Sequence, residues 1–138
     1  MLTNGCFDLI PRGHVRYLAA AAELGDILVV GLNDDASVRA LKGPGRPLMP
    51  ADARAEVLAA LAWVDYVTIF ATRTAEPLVE ALQPDVYVKG GDYADRPPPE
   101  AAMAERLGGV FRALDLVPDS STSELIARLR TVGLGSDG

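Results

Sequence analysis

Thr3-Asn4-Gly5-Cys6-Phe7-Asp8-Leu9-Ile10-Pro11-Arg12-Gly13-His14 opens the chain and decides its fold. A short β-type start runs into a Gly-containing turn, and a segment of helical period begins near Gly13. A strand that ends beside a helix N-terminus makes an anion site. The unpaired N–H groups and partial positive charge of the helix end attract phosphate, and a small residue lets backbone come close. Gly5 supplies the small residue, Gly13-His14 the helix mouth, and His14, the chain's one histidine, a side-chain donor. Asp8 is placed to orient a donor or to stand behind a metal ion. Read by themselves, these residues also fit an ordinary turn.

Downstream, the pattern alternates between short β-type runs and longer segments of helical period, as in a parallel sheet wound with helices. Ile27 to Leu32, Tyr66 to Phe70, Asp85 to Val88 and Gly109 to Leu114 read as strands. Helices are expected over Gly13 to Leu24, Asp35 to Leu41 behind an Asn33-Asp34 cap, Ala51 to Trp63, Thr74 to Leu82, Pro99 to Leu107 before Gly108, and Ser121 to Arg130. Continuous apolar runs such as Ile27 to Leu32 imply strands covered on both faces. The expected fold is therefore α/β, a Rossmann-like doubly wound sheet, with a ligand outside the carboxyl ends of its strands. Residues 1–132 form one expected domain and 133–138 an expected disordered tail. Met1-Leu2 is a short run ahead of the turn, which leads us to expect a few further native residues upstream.

Composition narrows the function. A chain of 138 residues is one domain by size and buries roughly 70% of the surface its unfolded form exposes. The formal net charge is −6 and the basic residues are spread singly, so a nucleic-acid footprint is not expected. No run of about 18 apolar residues suggests a membrane span, and no leader pattern suggests secretion. The expected compartment is the cytoplasm, in keeping with the single Cys6, read as a small buried residue rather than a reactive thiol.

Three further stretches carry candidate chemistry. Lys42-Gly43-Pro44-Gly45-Arg46-Pro47, with Arg54 in the next helix, offers three cations able to converge on phosphates, although solvated surface charge reads equally simply. Lys89-Gly90-Gly91-Asp92 ends a buried strand with a cation, two glycines and an acceptor; a plain bend is the competing reading. Ser121-Thr122-Ser123 enters the last helix, where hydroxyls serve as caps, Ser121 and Glu124 having capping-box spacing, or as phosphate donors.

In this order, over essentially the whole chain, these motifs resemble the cytidylyltransferase-like nucleotidyltransferases. They are most similar to the adenylyltransferase domain of the bacterial heptose enzymes, which joins D-glycero-β-D-manno-heptose 1-phosphate and ATP into ADP-heptose and pyrophosphate. The resemblance implies a five-stranded parallel sheet, ATP as substrate with Mg²⁺ on its phosphates, and a homodimer. It implies His14, Lys42 and Arg54 as catalytic phosphate contacts. It places Asn4, Gly5, Phe7, Asp8, Gly13, Lys89, Gly90, Asp92, Ser121, Thr122 and Ser123 on the nucleotide and metal side, and assigns no residue as a direct metal ligand. A separate sugar kinase is expected to make the sugar 1-phosphate.

One position departs from the family pattern, which reads Gly-x-Phe-Asp followed by His-x-Gly-His. Pro11 stands where the first histidine belongs. Loss of a comparable transition-state donor costs about 10²–10³ in rate, which describes an impaired enzyme. Arg12 could in principle reach the gap, but adjacent side chains at a helix start point in different directions. A second departure, Arg96-Pro97-Pro98-Pro99, lies near the presumed sugar side. Three alternatives stay open: a cytidylyltransferase using CTP and an alditol or amino-alcohol phosphate, a non-catalytic nucleotide-binding homologue, and an interaction module that keeps only the fold.

Overall fold

A computed structural model describes residues 1–115 and 122–132, with the side chains at positions 92, 94 and 122–125 left aside. The expected disordered tail, 133–138, and Ser121 lie outside the described residues. The element order is β1 (Leu2–Gly5), α1 (Arg12–Ala22), β2 (Val29–Asn33), α2 (Asp35–Lys42), α3 (Ala51–Ala59), β3 (Tyr66–Phe70), α4 (Glu76–Leu82), β4 (Val86–Gly90), a 3-10 turn (Gly91–Ala94), α5 (Pro99–Arg106), β5 (Val110–Leu114) and α6 (Thr122–Thr131). The five strands form one parallel sheet in the order β3-β2-β1-β4-β5. This is the expected Rossmann-like α/β architecture.

Side-chain alternation sends the core to both faces of the sheet. Val30 and Leu32 of β2 and Val88 of β4 pack with Tyr17, Leu18 and Ala21 of α1 and Leu58 of α3. On the opposite face Leu2 and Tyr87 pack with Val79 of α4 and Ala104 of α5. Thr3 points to the α1 side, where its hydroxyl and the Tyr17 hydroxyl share a hydrogen bond of 2.7 Å. Burial pushes the Tyr17 phenol up, so it stays protonated and able to donate.

The ends of several elements differ from the sequence reading, for local reasons. β2 starts at Val29 rather than Ile27, because Ile27 is exposed and Leu28 N–H is taken by the Asp65 carboxylate at 2.8 Å. α3 stops at Ala59 rather than Trp63. Two tight turns, Leu61 N–H to Leu58 O and Val64 N–H to Leu61 O, bring Val64 back into the core and leave Trp63 exposed. α4 starts at Glu76 rather than Thr74, whose hydroxyl accepts from Glu76 N–H. Asp34 caps α2 as expected, accepting from Ser37 N–H at 2.9 Å. Gly109 is required by close approach, since a Cβ there would lie 2.3 Å from the Pro84 carbonyl.

Sheet pairing is uneven where it matters for ligand access. β1 matches β2 at four positions and β4 matches β5 at five, but β1 and β4 share only Leu2↔Tyr87. Beyond that point the two central strands part, and side chains of β4 replace the ladder. Lys89 Nζ donates to Asn4 O at 2.9 Å, and the Tyr87 hydroxyl donates to Asn4 Oδ1. This parting occurs at the topological switch of the sheet, where connections leave in opposite directions and a crevice opens.

Candidate functional site

A cleft of about 590 Å³ occupies that crevice. The end of β1 and its turn supply Asn4, Gly5, Cys6, Phe7 and Asp8; α1 supplies His14; α2 and its loop supply Lys42 and Arg46; and β4 supplies Lys89 and Gly90. Three separate sequence motifs therefore meet in one place. Gly13 is buried in the first turn of α1.

The turn after β1 is held in an uncommon conformation. Phe7 has φ +46°, the left-handed region that costs a non-glycine residue about 1 kcal/mol or more. Its ring fills the space a side chain at residue 5 would need: a Cβ on Gly5 would lie 3.0 Å from Phe7 Cε2. Gly5 thus makes room for the chain's own Phe7 as well as lining the cleft. The Phe7 ring in turn meets the His14 ring edge-on, with centroids 5.6 Å apart at 64°. Turn and helix are therefore fixed relative to each other through two rings.

His14 has a buried Nδ1 with no hydrogen-bond partner. Burial first, and the Lys42 charge second, lower its pKa below the ordinary 6.5. The ring is neutral at neutral pH, and the tautomer with its proton on Nε2 avoids burying an unpaired N–H. Pro11 is the N-cap of α1 and offers no side-chain hydrogen bond. Arg12 is exposed and forms no part of the cleft wall, so it does not fill the gap left at Pro11.

The three cations expected to converge have separate assignments. Lys42 lines the cleft and is exposed. Arg46 also lines it, but its Nε is paired with Asp8 at 2.9 Å. Arg54 is fully buried and absent from the wall. Its guanidinium donates to Met49 O at 2.8 Å, Cys6 O at 2.7 Å, Asn33 O at 2.9 Å and Asp35 Oδ1 at 2.6 Å. In this arrangement it fastens the ends of β1 and β2 to α2 and the α3 approach instead of facing a ligand.

Asp8 has a similar internal role. Its carboxylate accepts from Leu48 N–H at 2.7 Å, Met49 N–H at 3.0 Å and Arg46 Nε. Those donors outweigh the opposing effect of burial and hold its pKa below the usual carboxylate value. The basic loop is tied to the β1 turn through this one side chain, leaving Asp8 poorly suited to a metal. Among the described residues there is no group of three His, Cys, Asp or Glu able to hold a metal ion. A Mg²⁺ brought in on a triphosphate fits this donor set; a cage made of protein ligands does not.

Lys89 sits between Asn4 O and the Tyr93 ring, its Nζ 5.0 Å from the ring centroid. Burial lowers its pKa, opposed by the nearby charge of Glu100. Cys6 lines the cleft, and burial pushes its thiol up despite four surrounding cations, in keeping with an inert side chain. Asp92 lies in the 3-10 turn, with its side chain outside the described residues. Thr122 and Ser123 begin α6, and their side chains are likewise outside them. The sequence reading missed Arg73, Thr74, Ala75 and Glu100, which complete the wall on the β3 side. Only the fold brings them there.

Among the described residues no helix is long and apolar enough to cross a membrane. Residues 2–128 match the family model described as cytidylyltransferase-like. The chain is 49% identical over 129 residues to the bifunctional protein HldE of Syntrophotalea carbinolica, covering 94% of this chain and 26% of that protein. It is also 49% identical over 133 residues to the bifunctional protein HldE of Pseudomonas aeruginosa, covering 96% of this chain and 28% of that protein. It thus spans about a quarter of the length of these curated relatives. A lipopolysaccharide core biosynthesis protein from Thermoplasma volcanium has a similar fold, with TM-score 0.67, 23% identity, and coverage of 84% of this chain and 93% of that one.

Proposed function

The chain belongs to the cytidylyltransferase-like family, and we propose that it transfers AMP from ATP to a sugar 1-phosphate, D-glycero-β-D-manno-heptose 1-phosphate, releasing pyrophosphate and ADP-heptose. The observation that carries this reading is the meeting of the β1 turn, His14 from the first turn of α1, and Lys42 in one cleft at the carboxyl ends of the strands. A phosphate oxygen of the acceptor attacks the α-phosphorus of ATP. The new P–O bond forms as the bond to the β-phosphate bridging oxygen breaks, and pyrophosphate carries away the electron pair.

No covalent intermediate with the protein is needed, so the chain contributes position and charge. The Nε2 proton of His14 faces growing negative charge; Lys42 and Lys89 offset the phosphates. Arg54 acts as a positioning residue, holding the carbonyl ends of β1 and β2. Among the described residues no cluster of protein ligands would hold Mg²⁺, and the ion, bound with the nucleotide, would supply charge neutralisation. A kinase reaction upstream supplies the sugar 1-phosphate, and a soluble cytoplasmic homodimer is part of the same proposal.

Pro11 favours a second reading, a nucleotide-binding homologue with weakened turnover, because the N-cap of α1 has no donor where the family has histidine. The test is pyrophosphate release with Mg²⁺, heptose 1-phosphate and either ATP or CTP, on the unaltered chain and on Pro11→His. Turnover with ATP is expected from the unaltered chain, and an increase of about 10²-fold from Pro11→His. Activity in Pro11→His alone supports the second reading; preference for CTP replaces the nucleotide; silence from both removes the transferase.

A further inference from the structure

Glu100 stands out in a cleft built for anions. It lies in the first turn of α5, is only 7% exposed, and lines the wall beside the connection from β3 to α4. Its Oε1 accepts from Ala75 N–H at 3.0 Å. Among the described residues no donor is paired with its second oxygen. A carboxylate carries the wrong sign for a phosphate subsite. A purely structural role, holding Ala75, needs one neutral acceptor and no charge. The charge acts inside the cleft, where it opposes the effect of burial on Lys89.

Lys42, Arg46, Arg73 and Lys89 line the cleft and can meet phosphates, whereas Asp8 and Glu100 are its acidic residues, and the Asp8 carboxylate is taken by Arg46, Leu48 and Met49. The part of a ligand that satisfies a carboxylate oxygen is a neutral hydrogen-bond donor, and on a nucleotide or sugar phosphate the commonest such group is a hydroxyl. We infer that Glu100 is a specificity-determining residue that accepts a hydrogen bond from a sugar hydroxyl of the bound substrate. This rests on the nucleotide and sugar-phosphate reading above and names the residue that distinguishes a polyol from a bare phosphate.

Two substrates bring hydroxyls, the acceptor sugar and the ribose of the nucleotide, and binding measurements separate them. Glu100→Gln keeps a carbonyl for Ala75 N–H but loses the charge, and the amide rotamer that makes that bond presents a donor to the ligand. Calorimetric titrations of the unaltered chain and Glu100→Gln use ATP, 2′-deoxy-ATP, heptose 1-phosphate and inorganic pyrophosphate, with thermal melts to verify folding. A hydrogen bond to a charged group predicts weakening of about tenfold or more. Weakening confined to heptose 1-phosphate supports the inference and assigns the acceptor; weakening of ATP but not of 2′-deoxy-ATP supports it and assigns the ribose. Unchanged affinities in a folded variant overturn it, as does equal weakening of pyrophosphate, or failure of the unaltered chain to bind either sugar-bearing ligand. Hydroxyl-dependent binding without pyrophosphate release from the unaltered chain would instead sink the transfer reaction while leaving the role of Glu100 standing.

Discussion

At the residue scale, His14 joins geometry to proton chemistry. Burial and the Lys42 charge keep its ring neutral. A lowered pKa in the folded chain means that protonation favours the unfolded one. The associated stability is fully present above the unfolded value, near pH 6.5, and declines as pH falls through it toward the folded value. A triphosphate placed beside the ring reverses the balance, because its charge favours imidazolium. Nucleotide binding at about pH 6–6.5 is therefore expected to take up a fraction of a proton. Calorimetry in two buffers of different ionisation enthalpy measures it; buffer-independent heats would place the phosphates away from His14. The sequence made His14 conspicuous, but it could not show that Gly5 makes room for Phe7, or that Phe7 orients His14, because a glycine near a phosphate motif fits both uses equally well.

At the scale of elements, fastening by polar side chains explains what the sequence left unresolved. Arg54 and Asp8 were legible as charges beside a phosphate motif, yet both are largely consumed within the protein. No local pattern distinguishes a cation that meets a ligand from one that meets carbonyls, since the difference lies largely in contacts between residues distant in sequence, such as Arg54 with Cys6 and Asp8 with Leu48. Glu100 escaped notice for the converse reason: an acidic residue in a first helical turn looks like ordinary favourable helix charge. The strands and helices themselves were readable from period and from Asp34 and Gly108, while α3 ended early because Val64 had to return to the core. Arg54→Ala removes donors from Met49 O, Cys6 O and Asn33 O together. We expect a loss of about 3–5 kcal/mol in denaturant unfolding. A variant with unchanged stability but weakened nucleotide binding would restore Arg54 to direct phosphate contact.

For the whole molecule, the cleft joins residues from β1, β2, β4 and the first turns of helices on both sides of the sheet. A ligand held there binds the folded chain alone and shifts unfolding by mass action. ATP at a hundred times its dissociation constant adds about 2.7 kcal/mol, which for a chain of this size raises the melting midpoint by roughly 8 °C. A melt followed by circular dichroism with and without ATP measures this; no shift at millimolar ATP would remove nucleotide from the cleft.

The parting of β1 from β4 has a mechanical meaning. With backbone pairing reduced to Leu2↔Tyr87, the sheet is two rafts, β3-β2-β1 and β4-β5, lashed together near the cleft by the Tyr87 and Lys89 side chains. Side-chain lashings can slacken without unravelling either raft, so the joint tolerates small rocking that a continuous ladder would resist. A molecule spanning the joint acts as a splint, and amide protons on the facing edges of β1 and β4 would exchange more slowly once it is in place.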